Sequence, residues 1–284
     1  MTPLLIVSDL DGTLLDSRGR VSARTRAAVS AVRAAGHIFI IATGRPVRDV
    51  WRIAQTLGSA DIAVCGDGSI CYDFIHETVV DYRPIASGDV RAAVAALRDG
   101  LPGHRLGAER ELELLLEDDF VLAPELCVGA RRAVSLLHEL DGRGFAKLIV
   151  QADGSALEYC PTVAEILPRA CAVTVSTPAF CQVNRAGVTK ATALRRLARR
   201  LGVAARDTIA FGDMPNDLSM LAWAGRSVAV ANAHPDVLAM AHETTASHDE
   251  DGVARFLEQL VGHRPGVSPP RAAATEQTLE DQAR

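Results

Sequence analysis

The sequence predicts an α/β protein, a doubly wound, Rossmann-like parallel sheet interrupted by a smaller α/β domain. Three observations carry that expectation. Short apolar runs at 4–7, 38–42 and 62–65 suit parallel strands covered on both faces, with helical periodicity between them. The strand and helix rhythm changes at Arg83 and resumes at Gly187-Val188-Thr189-Lys190. Most of the apolar runs on either side of that gap end in carboxylates, or in a hydroxyl and a glycine.

The first run stops where two carboxylates arrive one residue apart, in Asp9-Leu10-Asp11-Gly12-Thr13. Taken alone, Asp-x-Asp-Gly also fits a solvated turn or a calcium loop. Ser22 then caps a helix with Ala27, Ala28, Val32 and Ala35 on one face, and Gly36 ends it. Ile38–Ala42 leads into Thr43-Gly44-Arg45-Pro46, where Pro46 suits the first turn of a helix reaching about Leu57. Thr-Gly-Arg can be a plain connecting turn. It can equally cradle phosphate with a hydroxyl, a close backbone approach and helix-end amides. Ile62–Cys65 is followed by Gly66-Asp67-Gly68-Ser69 and a hairpin of 70–72 against 78–82.

Residues 84–183 read as the insert: a helix at 89–98, strands at 111–116 and 147–151, a helix at 131–140, and strands at 172–176 and 180–183. After it, Lys190 opens a helix carrying Ala191, Leu194, Leu197, Ala198 and Leu201, with Gly202 at its end. A first-turn lysine opposes the helix dipole, which an anion nearby would repay. The strand Thr208–Phe211 ends in Gly212-Asp213-Met214-Pro215-Asn216-Asp217, a fifth strand spans Val228–Val230, and an amphipathic helix at 251–260 closes the fold. The segment 263–284, rich in Pro, Ala, Arg, Glu and Gln, reads as a disordered tail.

Parallel neighbouring strands would bring Asp9, Asp11, Thr43, Lys190, Asp213, Asn216 and Asp217 to one sheet edge. Carboxylates packed so closely need a cation, and an all-oxygen ligand set beside phosphate favours Mg²⁺. A carboxylate nucleophile, an acid/base partner, a metal and phosphate donors make up an apparatus for phosphoryl transfer.

These motifs, in this order, resemble the four signatures of the haloacid dehalogenase (HAD) superfamily. The insert's position, with Asn232-Ala233-His234-Pro235 and Asp249-Glu250-Asp251-Gly252-Val253, is similar to the Cof-like subclass IIB sugar-phosphatase branch. The resemblance implies a core of residues 1–83 and 184–262 with a cap at 84–183, acting on a small phosphorylated metabolite. Asp9 would be the nucleophile and a metal ligand. Asp11 would be the acid/base, its backbone carbonyl touching the metal, and Asp213 would ligate the metal. Leu10, Thr43, Gly44, Lys190 and Asn216 would hold phosphate, Thr43 and Lys190 also serving catalysis. Arg45 and Asp217 would support the site. Asp67 stands where that branch usually has Asn, and Ala231 where it usually has Gly. A phosphomutase and a non-catalytic phospholigand binder are the alternatives on this scaffold.

Composition narrows the partners. The formal charge of −5, with 48% hydrophobic and 23% charged residues, gives no basic stripe for nucleic acid or an anionic membrane. No apolar run has the length of a membrane span and no secretion signal opens the chain, so a cytoplasmic protein is expected. The cysteines at 65, 71, 127, 160, 171 and 181 form no Cys-x-x-Cys pair and read as buried thiols.

Overall fold

The computed structural model describes residues 3–58, 61–121 and 129–262, and the expected tail lies outside them. Its first sheet has eight strands, in chain order β1 (Leu5–Ser8), β2 (Ile38–Ala42), β3 (Ile62–Cys65), β4 (Ile70–Asp73), β5 (Thr78–Tyr82), β12 (Thr208–Gly212), β13 (Arg226–Val230) and β14 (Glu243–Thr245). They lie side by side in the order β14-β13-β12-β1-β2-β3-β4-β5. All neighbours from β14 to β3 are parallel, while β4 and β5 add the expected antiparallel hairpin. From β1 the chain steps one way through β2 and β3, and after the insert it steps the other way from β12. The seam between β1 and β12 is thus the topological switch point, where ligands bind in open sheets.

Apolar strands on both faces give this sheet its core, with Leu5, Ile6, Val7, Ile41 and Phe211 fully buried. Each such side chain contributes about 1.5–3 kcal/mol by leaving water. The flanking helices include α1 (Ala23–Ala34), α2 (Val47–Leu57), α5 (Lys190–Leu201), α6 (Leu218–Trp223), α7 (Pro235–Met240) and α8 (Gly252–Gly262). Local chemistry sets their ends. The Ser22 hydroxyl accepts from the Thr25 amide at the start of α1, and the Thr189 hydroxyl accepts from the Thr192 amide at the start of α5.

The second sheet is built from β6 (Arg105–Arg110), β7 (Glu113–Glu117), β8 (Ala130–Ala133), β9 (Lys147–Gln151), β10 (Cys171–Thr177) and β11 (Phe180–Arg185), in the order β10-β11-β9-β6-β7-β8. It is antiparallel except between β7 and β8. The helices α3 (Ser87–Gly100) and α4 (Ala156–Ile166) contribute Val90, Val94, Leu97, Tyr159 and Val163 to a separate core with Leu106, Leu148, Val150 and Val183.

The insert is where the sequence reading needs correction. The helix expected at 131–140 is instead the strand β8 and a single turn over Leu136–Glu139, because Leu114–Glu117 offers a ladder to pair with. Arg132 fixes that arrangement by donating to the carbonyls of Glu117 and Phe120. β6, too polar to read as a strand, and α4, broken in pattern by Pro161, were not expected. A capping box of Ser155 and Glu158 starts α4 despite the proline. β11 runs on to Arg185, two residues beyond the boundary drawn at 183. In the core, β14 and α7 were also missed, being only three and six residues long.

Candidate active site

Three strand ends and one helix start converge at the switch point. Asp9 follows β1 directly, and its amide donates to the Phe211 carbonyl of β12 at 3.0 Å, which holds the residue against the neighbouring strand. Asp213 follows β12, Thr43 follows β2, and Lys190 opens α5. The chain can turn after Asp9 because Gly12 takes φ +77°; a Cβ there would lie 2.3 Å from an Asp213 carboxylate oxygen. Glycine is therefore required both for the turn and for the approach of the acid.

The centre of the site is a buried ammonium. Lys190, 1% exposed, donates to Asp9 Oδ1 at 2.5 Å and to Asp217 Oδ1 at 2.7 Å. The second Asp217 oxygen accepts from the amides of Asp213 and Met214, each at 3.2 Å, so this carboxylate shapes the loop as well as pairing the lysine. Asp213 accepts from the Thr13 hydroxyl at 2.7 Å. Asp9, Asp213 and Asp217 are all buried, and they present ligand oxygens within 4.8 Å of one another.

The charges explain the titration. Burial raises the Asp9 carboxyl well above its usual range; Lys190 opposes this, while Asp217 and Asp213 add to it. Burial likewise raises Asp213. Desolvation would lower Lys190, but Asp217, Asp9 and Asp67 outweigh it and hold the ammonium charged. Three carboxylates share one ammonium, leaving an excess of negative charge that a divalent cation would neutralise.

Asp11 is treated differently. Its carboxylate is 55% exposed and meets the Arg45 fork, at 2.7 Å to Nε and 2.5 Å to Nη2. It is not part of the buried acidic group, in which the resemblance gives Asp11 only a backbone carbonyl. Arg45 thus braces Asp11. The Thr43 hydroxyl accepts from the Arg45 amide at 3.1 Å, and Thr43 is itself buried. Gly44 faces the Asp67 carboxylate, and the Asn216 amide group donates to Asp67 at 3.4 Å. The Leu10 side chain lies in the apolar core. Asn232 ties the motif loops together by donating to the Gly12 carbonyl at 2.8 Å and accepting from the His248 amide at 2.9 Å.

Sequence reasoning missed four polar residues that approach these loops. Lys147 and Gln182 come from the inserted sheet, as does Glu109, which pairs with Arg48 of α2 at 3.3 Å. A lysine inside the apolar stretch Lys147–Val150 was the available signal, since a charge amid buried strand residues must find a partner. The cysteines among the described residues, 65, 71, 160, 171 and 181, are free thiols. No helix among the described residues is long and apolar enough to cross a membrane.

Comparison with known proteins shows the family and the fold. The family model described as haloacid dehalogenase-like hydrolase matches residues 6–257. The 5-amino-6-(5-phospho-D-ribitylamino)uracil phosphatase YitU of Bacillus subtilis is 28% identical, over 90% of this chain and 97% of its own length. A haloacid dehalogenase-like hydrolase from Bacteroides thetaiotaomicron superposes with a TM-score of 0.79 at 26% identity, covering 91% of this chain and all (100%) of that one. A HAD subclass IIB sugar phosphatase shares the fold at TM-score 0.74 and 24% identity, over 90% of this chain and 98% of that one.

Proposed function

The chain belongs to the haloacid dehalogenase-like hydrolases, and from that premise we propose that it is a Mg²⁺-dependent phosphatase of a small phosphorylated metabolite, working through an aspartyl phosphate on Asp9. The observation that carries this reading is the buried Asp9–Lys190–Asp217 array beside Asp213 at the switch point. A nucleophilic carboxylate held by an ammonium, next to further acids and a glycine-containing loop, suits phosphoryl transfer better than ligand storage.

The donor set fits magnesium. Asp9 and Asp213, with the Asp11 carbonyl, would hold the ion, Thr13 would fix the Asp213 carboxylate, and Asp217 would support the group from behind. Bound there, the ion would neutralise charge between the carboxylates and the phosphoryl oxygens.

The protein's own residues account for the remaining steps. Thr43, Gly44 and Lys190 would receive the phosphoryl group. The Asp9 carboxylate forms a bond to phosphorus as the bond to the leaving oxygen breaks, and Asp11, entering this step as the carboxylic acid with one oxygen turned from the Arg45 fork to the leaving group, gives that oxygen its proton. Asp11, now a carboxylate, takes a proton from water as the water oxygen attacks phosphorus. The acyl phosphate bond breaks, phosphate leaves and Asp9 is regenerated. The division of labour matches the environments: Asp9 is 6% exposed and pinned, whereas Asp11 lies at the mouth.

A sugar phosphate or nucleotide-related metabolite is the substrate class this reading favours. The named B. subtilis relative dephosphorylates a ribityl phosphate, and polar side chains of the insert face the core. The test is phosphate release from purified protein over a panel of such metabolites, with Mg²⁺ and with a chelator. Release that needs Mg²⁺ is expected. Metal-independent release, or none across the panel beside an active control enzyme, would overturn the proposal.

A further inference from the structure

The inserted sheet meets the core through a second buried ammonium. Lys147 on β9 is 2% exposed, and its Nζ lies 3.4 Å from Asp67 Oδ2. The same nitrogen donates to the Gly44 carbonyl at 2.9 Å and to the Gln182 carboxamide oxygen on β11. An ammonium has three N–H groups, and here each has an acceptor. None is left for a substrate. Two of the acceptors belong to the core and one to the insert, so the contact joins the two units.

Asp67 is placed for this contact. It occupies a left-handed position, φ +54°, in the turn after β3, and Gly68 beside it packs against the Thr189 carbonyl at the start of α5. Burial would raise its carboxyl, but Lys147 and Lys190 hold it below the usual range. Glu109 lies opposite Lys147 in the β6–β9 register, and its pairing with Arg48 gives a second charged contact across the same boundary. The acceptor Gly44 lies between Thr43 and Arg45, and Arg45 in turn grips Asp11.

We propose that Lys147 and Asp67 form a latch between insert and core that sets the Thr43-Gly44-Arg45 loop, making Lys147 a positioning residue for the reaction. Removing one partner of a buried pair leaves the other charge uncompensated, so the latch acts through both domains at once. Its catalytic consequence rests on the phosphatase reading; its structural consequence does not.

The test compares the full chain with Lys147→Met, Lys147→Arg, Asp67→Asn and the double variant Lys147→Met/Asp67→Asn. Hydrogen exchange is followed in the peptides covering 43–48, 84–87 and 185–188, and kinetics with a generic aryl phosphate and inorganic phosphate as inhibitor. Lys147→Met should speed exchange at 43–48 about fivefold and lower kcat/KM about tenfold, with weaker phosphate inhibition. Asp67→Asn should move exchange in the same direction. The double variant should lose less than the two single losses combined, because no lone buried carboxylate remains. Lys147→Arg should restore part of the protection.

Unchanged exchange at 43–48 in folded Lys147→Met, or strictly additive single effects, would overturn the latch. If Lys147→Met does not fold, Asp67→Asn decides by the same readout. If the parent protein hydrolyses no phosphate ester, the functional reading falls while the exchange arm still decides the latch.

Discussion

The core sheet and the inserted sheet are both α/β structures, but they use their faces differently. In the core, β1, β2, β3, β12 and β13 are buried on both sides, so their side chains build stability and only their ends are free for chemistry. In the insert, α3 and α4 cover one face, while Glu109, Lys147 and Gln182 reach toward the core from the other. Chemistry at strand ends and contacts from a sheet face are separable designs. Such an insert can change what it touches without disturbing the nucleophile.

The comparison is broken most directly at the strand end. Asp9→Asn should reduce turnover to background, since the amide cannot form the acyl phosphate. It should melt no lower than the parent in chelator at pH 7.5. The sign follows from the raised Asp9 carboxyl: the stability it contributes is complete below the ordinary carboxylate range and is lost as pH rises through the folded value, so removing the charge relieves a cost. Asp11→Asn, at an exposed site, should lose only about 10²–10⁴ in rate. Turnover of a poor alkoxide leaving group near the parent rate in either variant would refute its assigned role.

How much was legible follows the same division. A run such as Ile38–Ala42 followed by Thr43-Gly44-Arg45 declares both a strand and its functional end, because burial on two faces leaves an unmistakable apolar block. Asp9, Asp213 and Asp217 stood at such ends and Lys190 at the start of a periodic helix, and the structure brings them together. β6 and β8 gave no such block: Arg105 of the interior strand β6 pairs with Asp153, while on the edge strand β8 Arg131 pairs with Glu139 and Arg132 donates to carbonyl oxygens, so pairing rather than periodicity decides. Asp67 was weighed only as a loop departure, because its partner Lys147 is eighty residues away in sequence. Long-range pairing of charges is not encoded in any local pattern.

A smaller effect sharpens the comparison. Replacing residues 84–185 by a short linker should depress kcat/KM for a metabolite ester about 10²-fold or more, and for a small aryl phosphate about tenfold or less. The aryl leaving group asks little of the insert, whereas the Lys147 contact to Gly44 is lost for both substrates. Equal losses, measured on variants with native core melting behaviour, would show that the insert serves the loop alone and does not select substrate.

The smallest effect separates the two cores by stability. Cys65 on β3 and Cys181 on β11 are both fully buried. Burial pushes the Cys65 thiol far up and the Cys181 thiol up to about 12. At pH 8 only on the order of 10⁻⁴ of a thiol with such a value is thiolate, so neither can be alkylated at a useful rate until its sheet opens. Alkylation then reports opening. The inserted sheet has helices on one face only and a smaller apolar cluster, so Cys181 should be labelled several-fold faster than Cys65 in mild urea. Peptide mapping by mass spectrometry distinguishes the two sites. Inorganic phosphate with Mg²⁺ should slow Cys65 labelling first, since the groups proposed to bind it follow core strands or open a core helix. If Cys65 were labelled before Cys181, or phosphate protected only Cys181, the core would not be the rigid partner, and the separation between strand-end chemistry and face contacts would fail.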